Sequence, residues 1–172
     1  MLRGIAIVLL VISCGLLGFT KSKAESGRIK DLKMLRRMTS LLSGAVSYGA
    51  VPLPSALWSV GGKMGNPYKE FMQQVSKELD DLSGQSFTEV FSRNVDSYLL
   101  DTHLRREDRE NLKALGADMG FLDKQMQLQT LQAYHAELDQ KIEELQEGLP
   151  VRMKLYQSLG IMGGLFFAIL LI

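Results

Sequence analysis

The chain has 172 residues, 46% of them hydrophobic, with 20 Lys and Arg against 19 Asp and Glu for a formal net charge of +1. Once its two terminal apolar stretches are set aside, that length supports one core of domain size and not two. The single cysteine excludes an intramolecular disulfide and a thiolate metal cluster, and nothing in the charge balance supplies the basic face that nucleic acid requires.

From Gly4 to Thr20 no residue is charged, a run close to the roughly 17 to 25 residues a helix needs to cross a bilayer. Val11-Ile-Ser-Cys14 also loosely fits a lipoprotein signal, in which a small residue precedes an acylated cysteine. Such signals have a shorter apolar region, about 7 to 15 residues, followed by a polar mature start. Here Gly15, Leu16, Leu17, Gly18 and Phe19 carry the apolar run past Cys14. An uncleaved transmembrane anchor over 4–20 fits better, and an exported lipoprotein is its rival.

Charge sets the orientation. Lys21, Lys23, Arg28, Lys30, Lys33, Arg36 and Arg37 follow the run, whereas only Arg3 and the terminal amine precede it. Flanking Lys and Arg favour the cytoplasmic side, so the chain is expected to enter the cytoplasm after Thr20. Residues 155–172 are again free of charge, with Arg152 and Lys154 before them and Tyr156 at the expected interface. This second span returns outward, leaving 21–154 as a cytoplasmic domain tethered at both ends. Between Met38 and Val151 there are 10 Lys and Arg against 17 Asp and Glu, so a basic collar beside anionic headgroups adjoins an acidic body.

The periodicity is helical throughout. Ile29, Leu32, Leu35, Met38, Leu42 and Ala45 form one stripe of a helix reaching about Tyr48. Gly49-Ala-Val-Pro-Leu-Pro54 breaks it, and Pro54 suits the first turn of a short helix with Leu57, Val60 or Gly61, and Met64 on its apolar side. Asn66 is placed to cap, and Pro67 to start, a helix carrying Phe71, Met72, Val75, Leu79 and Leu82, which Ser83-Gly84 ends. Ser86-Phe-Thr-Glu89 has the form of a capping box, followed by Val90, Phe91, Val95 and Tyr98. Arg106 to Gly116 reads as a helix with Leu112 and Leu115 inward. Leu131, Tyr134, Leu138, Ile142, Leu145, Leu149 and Met153 run toward the last span, with a kink or joint expected at Gly148 and Pro150. The fold class is therefore all-α, a bundle of about six helices between two membrane helices.

Catalytic constellations are missing from the sequence. His103 and His135 stand far apart, in no HExxH spacing and away from the lone cysteine. There is no GxxxxGK[ST] loop, and the pairs Asp80-Asp81 and Glu143-Glu144 diverge on a helix instead of converging on a bond. Gly160-Ile-Met-Gly163-Gly164 contains the GxxxG spacing of closely packed membrane helices, equally compatible with a lipid-facing span.

LLSGAVSYGAVPLPSAL, Leu41 to Leu57, resembles the signature of type II secretion F domains, with an apolar helix, a glycine-containing bend, a Pro-Leu step and a short helix. Tyr48, Gly49, Pro52, Leu53, Pro54, Ala56 and Leu57 are its turn-specifying positions. LKALGADMGFLDKQMQ, Leu112 to Gln127, is similar to the second landmark, with Leu115, Gly116, Met119, Gly120, Asp123 and Gln127 in matching places. One copy between two spans resembles the stage III sporulation AB branch of that superfamily in endospore-forming bacteria. Full F proteins carry two copies, which implies self-pairing or other partners for a single one.

The resemblance implies a non-enzymatic membrane platform of the channel between mother cell and forespore, in the outer forespore membrane on the mother-cell side. It implies a cytoplasmic secretion-type ATPase and other membrane components as partners, likewise no cofactor, nucleic acid or small-molecule substrate. Glu107, Asp108, Glu110 and Asp118 are the candidate partner-binding residues. A membrane-anchored helical signalling transducer or adaptor is the second reading, and an enzyme with a site hidden from sequence a third. Reporters active on only one side of a membrane, fused after Gly84 and after Ile172, are expected to place Gly84 inside and Ile172 outside. An outside Gly84 would restore the lipoprotein reading.

Overall fold

The computed structural model describes the backbone of residues 2–48, 52–81, 84–120 and 123–171, and the side chains of 23–48, 52–81, 84–120 and 123–148. It is all-α among these residues, with helices α1 (Leu2–Tyr48), α2 (Leu53–Gly61), α3 (Tyr68–Asp80), α4 (Phe87–Tyr98), α5 (Arg106–Met119) and α6 (Lys124–Leu171). Among the described residues no helix is long and apolar enough to cross a membrane. The side chains of the two expected spans, with Cys14, Tyr156 and the Gly160, Gly163 and Gly164 cluster, lie outside the described residues.

Two compact units divide the chain. Met1–Ile29 and Glu143–Ile172, the ends of α1 and α6, form one; Lys30–Ile142 form the other, within the 21–154 expected for the bundle. In the second unit α2 packs on α3, α3 on α4 and α4 on α5. Leu32, Leu35, Met38 and Leu42 of α1 are fully or nearly fully buried there, as are Leu131, Tyr134, Leu138 and Ile142 of α6. The three- and four-residue spacing that put them on single helical stripes is thus the spacing of the core. Ala45 and Leu145, at the ends of these stripes, are only half-buried.

Phe91 stands at the middle of the α3, α4 and α5 packing. Its ring meets the edge of Phe71 at 5.1 Å and lies 5.4 Å from Phe87, an arrangement that adds to the burial of both rings. On its other flank is Gly116 of α5: a Cβ built there would fall 2.3 Å from Phe91 Cδ1. Two helices touch where one lacks a side chain. Gly61 gives α2 the same freedom against α3, where an added Cβ would lie 3.1 Å from Met72 Cβ.

Helix ends follow local chemistry with three corrections. The Ser86 hydroxyl accepts from the Glu89 amide (3.3 Å) while Glu89 Oε2 accepts from the Ser86 amide (3.1 Å), the expected capping box. Asn66 does not cap α3. Pro67 precedes the helix without a side-chain cap, and the Asn66 amide instead donates to Glu70 Oε1 (2.5 Å), one turn ahead. The joint expected at Gly148 and Pro150 is no break, because α6 continues through both. Proline removes one donor and strains one turn, and flanking helical bonds carry the helix on. Gly116 likewise does not end α5, which runs three residues further to Met119.

Gly116→Ala is expected to lower stability by about 1 to 3 kcal/mol through overpacking against Phe91. Gly44→Ala, in open space on α1, is expected to gain up to about 1 kcal/mol from helix propensity. Urea unfolding of the two variants measures both, and equal responses would reject the close approach at Phe91.

Candidate functional site

The first landmark is the α1–α2 corner. Tyr48 closes α1 with 94% of its surface exposed, and Gly49, Ala50 and Val51 lie outside the described residues. Pro52 is extended (φ −55°, ψ 150°) and its carbonyl accepts from the Ala56 amide at 3.1 Å. Leu53 and Pro54 form the first turn, where a missing N–H costs no hydrogen bond. Ser76 of α3 donates to the Pro54 carbonyl (2.7 Å), and Ala56 and Leu57 are buried beside it. These residues fix the direction of the chain.

The second landmark joins α5 to α6. Leu115 and Met119 are buried, and Gly120 is the C-cap of α5. Phe121 and Leu122 lie outside the described residues. Asp123 then caps α6: its Oδ1 accepts from the Met126 amide and its carbonyl from the Gln127 amide, both at 2.9 Å. The Gln127 side chain reaches back to donate to the Met119 carbonyl (3.0 Å). The start of α6 thereby satisfies its own first amides and a terminal carbonyl of α5.

The candidate acidic face is smaller than the sequence suggested. Glu107, Glu110 and Asp118 are exposed along one side of α5, whereas Asp108 is 2% exposed. The physical reason is helical: the next residue is rotated by about 100°, so Asp108 turns inward. Its Oδ2 accepts from the Arg105 amide at 2.9 Å, satisfying a donor at the helix start, and its Oδ1 meets Lys141 Nζ of α6 at 3.1 Å. Asp108 thus holds α5 to α6 and leaves the partner face. Glu107 shares Lys141 at 3.2 Å, and Lys113 bridges Asp96 (2.7 Å) and Glu110 (3.2 Å).

Burial alone would lower the pKa of Lys141, but hydrogen bonds and charge from Asp108 and Glu107 outweigh it and hold the ammonium above its ordinary value. Burial raises the hydroxyls of Tyr68 and Tyr134. His103 Nδ1 and its backbone amide both face Asp31 Oδ2 (3.2 and 2.8 Å), and His135 faces Asp139 (3.3 Å). Both histidines sit in pairs on the surface and not in a shared centre. Among the described residues no group of three His, Cys, Asp or Glu could hold a metal ion.

Sequence reasoning missed a cavity of about 500 Å³ between α1 and α2, lined among others by Ser40, Gly44, Ser55 and Ser59. It also missed the cluster in which Asn94 donates to Glu78 (3.2 Å) beside an Arg93–Glu78 ion pair. Small residues one helical turn apart were the available signal for the first. The second joins α3 to α4 across 16 residues and left no local pattern.

The proline-started α2 and the Asp123-capped start of α6 stand in a single-copy all-α domain. The family model for stage III sporulation protein AB matches residues 3–172, and the chain belongs to that family. It is 23% identical over 171 residues to stage III sporulation protein AB of Bacillus subtilis (strain 168), covering 99% of each chain. A solved structure of stage III sporulation protein AB (SpoIIIAB) matches with a TM-score of 0.65 and 19% identity over 72% of this chain and 97% of that one.

Asp108→Ala is expected to destabilise the bundle by about 1 to 3 kcal/mol, since it removes the acceptor of the Arg105 amide and the buried partner of Lys141, which keeps Glu107, whereas Glu107→Ala costs about 1 kcal/mol or less. The raised Lys141 pKa adds stability that is complete below the ordinary lysine value of about 10.4 and lost as pH rises through the folded value. Thermal unfolding across the alkaline range should therefore show a falling limb that Lys141→Met flattens. An unchanged limb would remove Lys141 as its source.

Proposed function

We propose that this chain is a non-enzymatic membrane platform of the sporulation channel between mother cell and forespore. Residues 4–20 and 155–172 are its spans, and the bundle lies in the cytoplasm on the mother-cell side of the outer forespore membrane. The bundle engages a secretion-type ATPase, and the spans pack with other membrane components and with further copies of the chain. Membership of the sporulation family supports the setting. Two uncharged runs with basic residues on their inner flanks support the topology.

One observation carries the partner assignment. Glu107, Glu110 and Asp118 stand in an exposed row on α5 while Asp108, on the same helix, serves the interior. An acidic row on a rigid, internally fixed helix suits a basic partner face and sets its approach by charge. Motion of the ATPase at α5 would pass to α6 through the Lys141 contacts with Glu107 and Asp108.

Reversing the row with Glu107→Lys, Glu110→Lys and Asp118→Lys is expected to abolish pull-down of the ATPase while the thermal unfolding of the domain keeps its cooperative form. Retained pull-down would reject the α5 surface.

A further inference from the structure

Gly44 has no reason to be glycine within its own fold. It lies in the interior of α1 without a positive φ, and a Cβ added to it would meet nothing within 4 Å. Glycine there is less favourable in a helix than alanine. At Gly61 and Gly116, by contrast, an added Cβ would fall within about 3 Å of a neighbouring helix's side chain. Gly44 opens instead onto the cavity of about 500 Å³ between α1 and α2, where small residues, Ser40 and Gly44 on one wall and Ser55 and Ser59 on the other, stand among the larger Leu41, Tyr48, Val60 and Lys63. Small residues one turn apart on both walls leave gaps into which a third helix can pack. Exposed Tyr48 lines the same cavity, a residue type that anchors protein interfaces.

The face does not end with the cavity. Lys30, Lys33, Arg37, Ser40, Gly44 and Tyr48 recur at three- and four-residue steps and so share one side of α1. The three cations are exposed and make no ion pair among the described residues, while Arg36, off this side, is paired with Asp139 at 2.6 Å. Lys63, at the cavity, is likewise exposed and without an ion pair. The acidic surplus of the domain is not spent on neutralising this row.

We propose that this face of α1 and α2 is a docking groove for an amphipathic helix of a partner protein, with small apolar residues seated between Gly44 and Ser59 and carboxylates over Lys33 and Arg37. By the helical rise of 1.5 Å per residue, those carboxylates sit about 10 to 16 Å from the part seated at Gly44. Charge complementarity selects an acidic helix end, and the cleared groove selects a helix over a flat lipid surface, which would read the cations alone. The assignment is independent of the acidic row on α5.

The test uses the full-length protein in detergent and a labelled synthetic helix with an Ala/Leu face and glutamates at its N-terminal end, against a control with lysines in their place. The acidic probe is expected to bind and the lysine probe to fail. Gly44→Leu and, separately, Ser59→Leu fill the groove from opposite walls, and each should weaken binding about tenfold or more. Lys33→Glu with Arg37→Glu should reverse the preference between probes, and the triple Lys variant on α5 should bind like wild type. Absence of acidic-probe binding, equal binding of both probes, or unchanged binding in both leucine variants overturns the proposal. Displacement of the probe by phosphatidylglycerol vesicles overturns it in favour of lipid. A wild-type dimer in sedimentation that both leucine variants dissociate overturns it in favour of a second copy.

Discussion

The close approach of Phe91 to Gly116 is the constraint on which the packing of the middle helices depends. An aromatic ring that touches the edge of Phe71 on one flank leaves room on the other only if α5 offers no side chain there. Cores are packed too densely for the ring to move aside at little cost. The rotation of α5 about its axis is thereby fixed: with Gly116 against α4, Leu112, Leu115 and Met119 must enter the core. The same rotation turns Asp108 inward and leaves Glu107, Glu110 and Asp118 outward. A single missing side chain determines which carboxylates reach solvent.

The corners extend this logic to the ends of the helices. Asp123 and Gln127 satisfy backbone groups of α6 and α5 across a short connection, so α6 starts in a direction set by where α5 stops. At the other corner Pro52 and Pro54 restrict the chain and Ser76 ties it to α3. None of these residues needs to touch a partner or a reacting group. Their recurrence at fixed spacing identifies a fold, and that is why two motifs of common residues pointed to a family that the full-length match then bore out.

Legibility followed sequence distance. The stripes on α1 and α6 and the Ser86–Glu89 box were readable because their partners lie three or four residues apart. Phe91 and Gly116 are 25 positions apart, and Asp108 and Lys141 are 33, so no window of sequence holds either pair. Asp108 was therefore grouped with its charged neighbours when one step around the helix separates their fates. Asn66 was misplaced for a different reason: its amide had a carboxylate one turn ahead, and that side-chain bond won over the cap. Of the kink or joint expected at Gly148 and Pro150, the joint is not formed, because α6 continues through both.

Helix α6 also keeps two opposed surfaces from cancelling. Asp139 takes Arg36 of α1 at 2.6 Å, and Lys141, two residues on, takes Glu107 and Asp108 of α5 at 3.2 and 3.1 Å. Residues two apart on a helix point about 200° from each other, so α6 holds α1 on one flank and α5 on the other. Each contact uses a cation or carboxylate adjacent to an exposed row of its own sign: Arg36 beside Lys33 and Arg37, Glu107 beside Glu110. With α6 between them, the cationic side of α1 and the acidic side of α5 are kept as separate exposed rows.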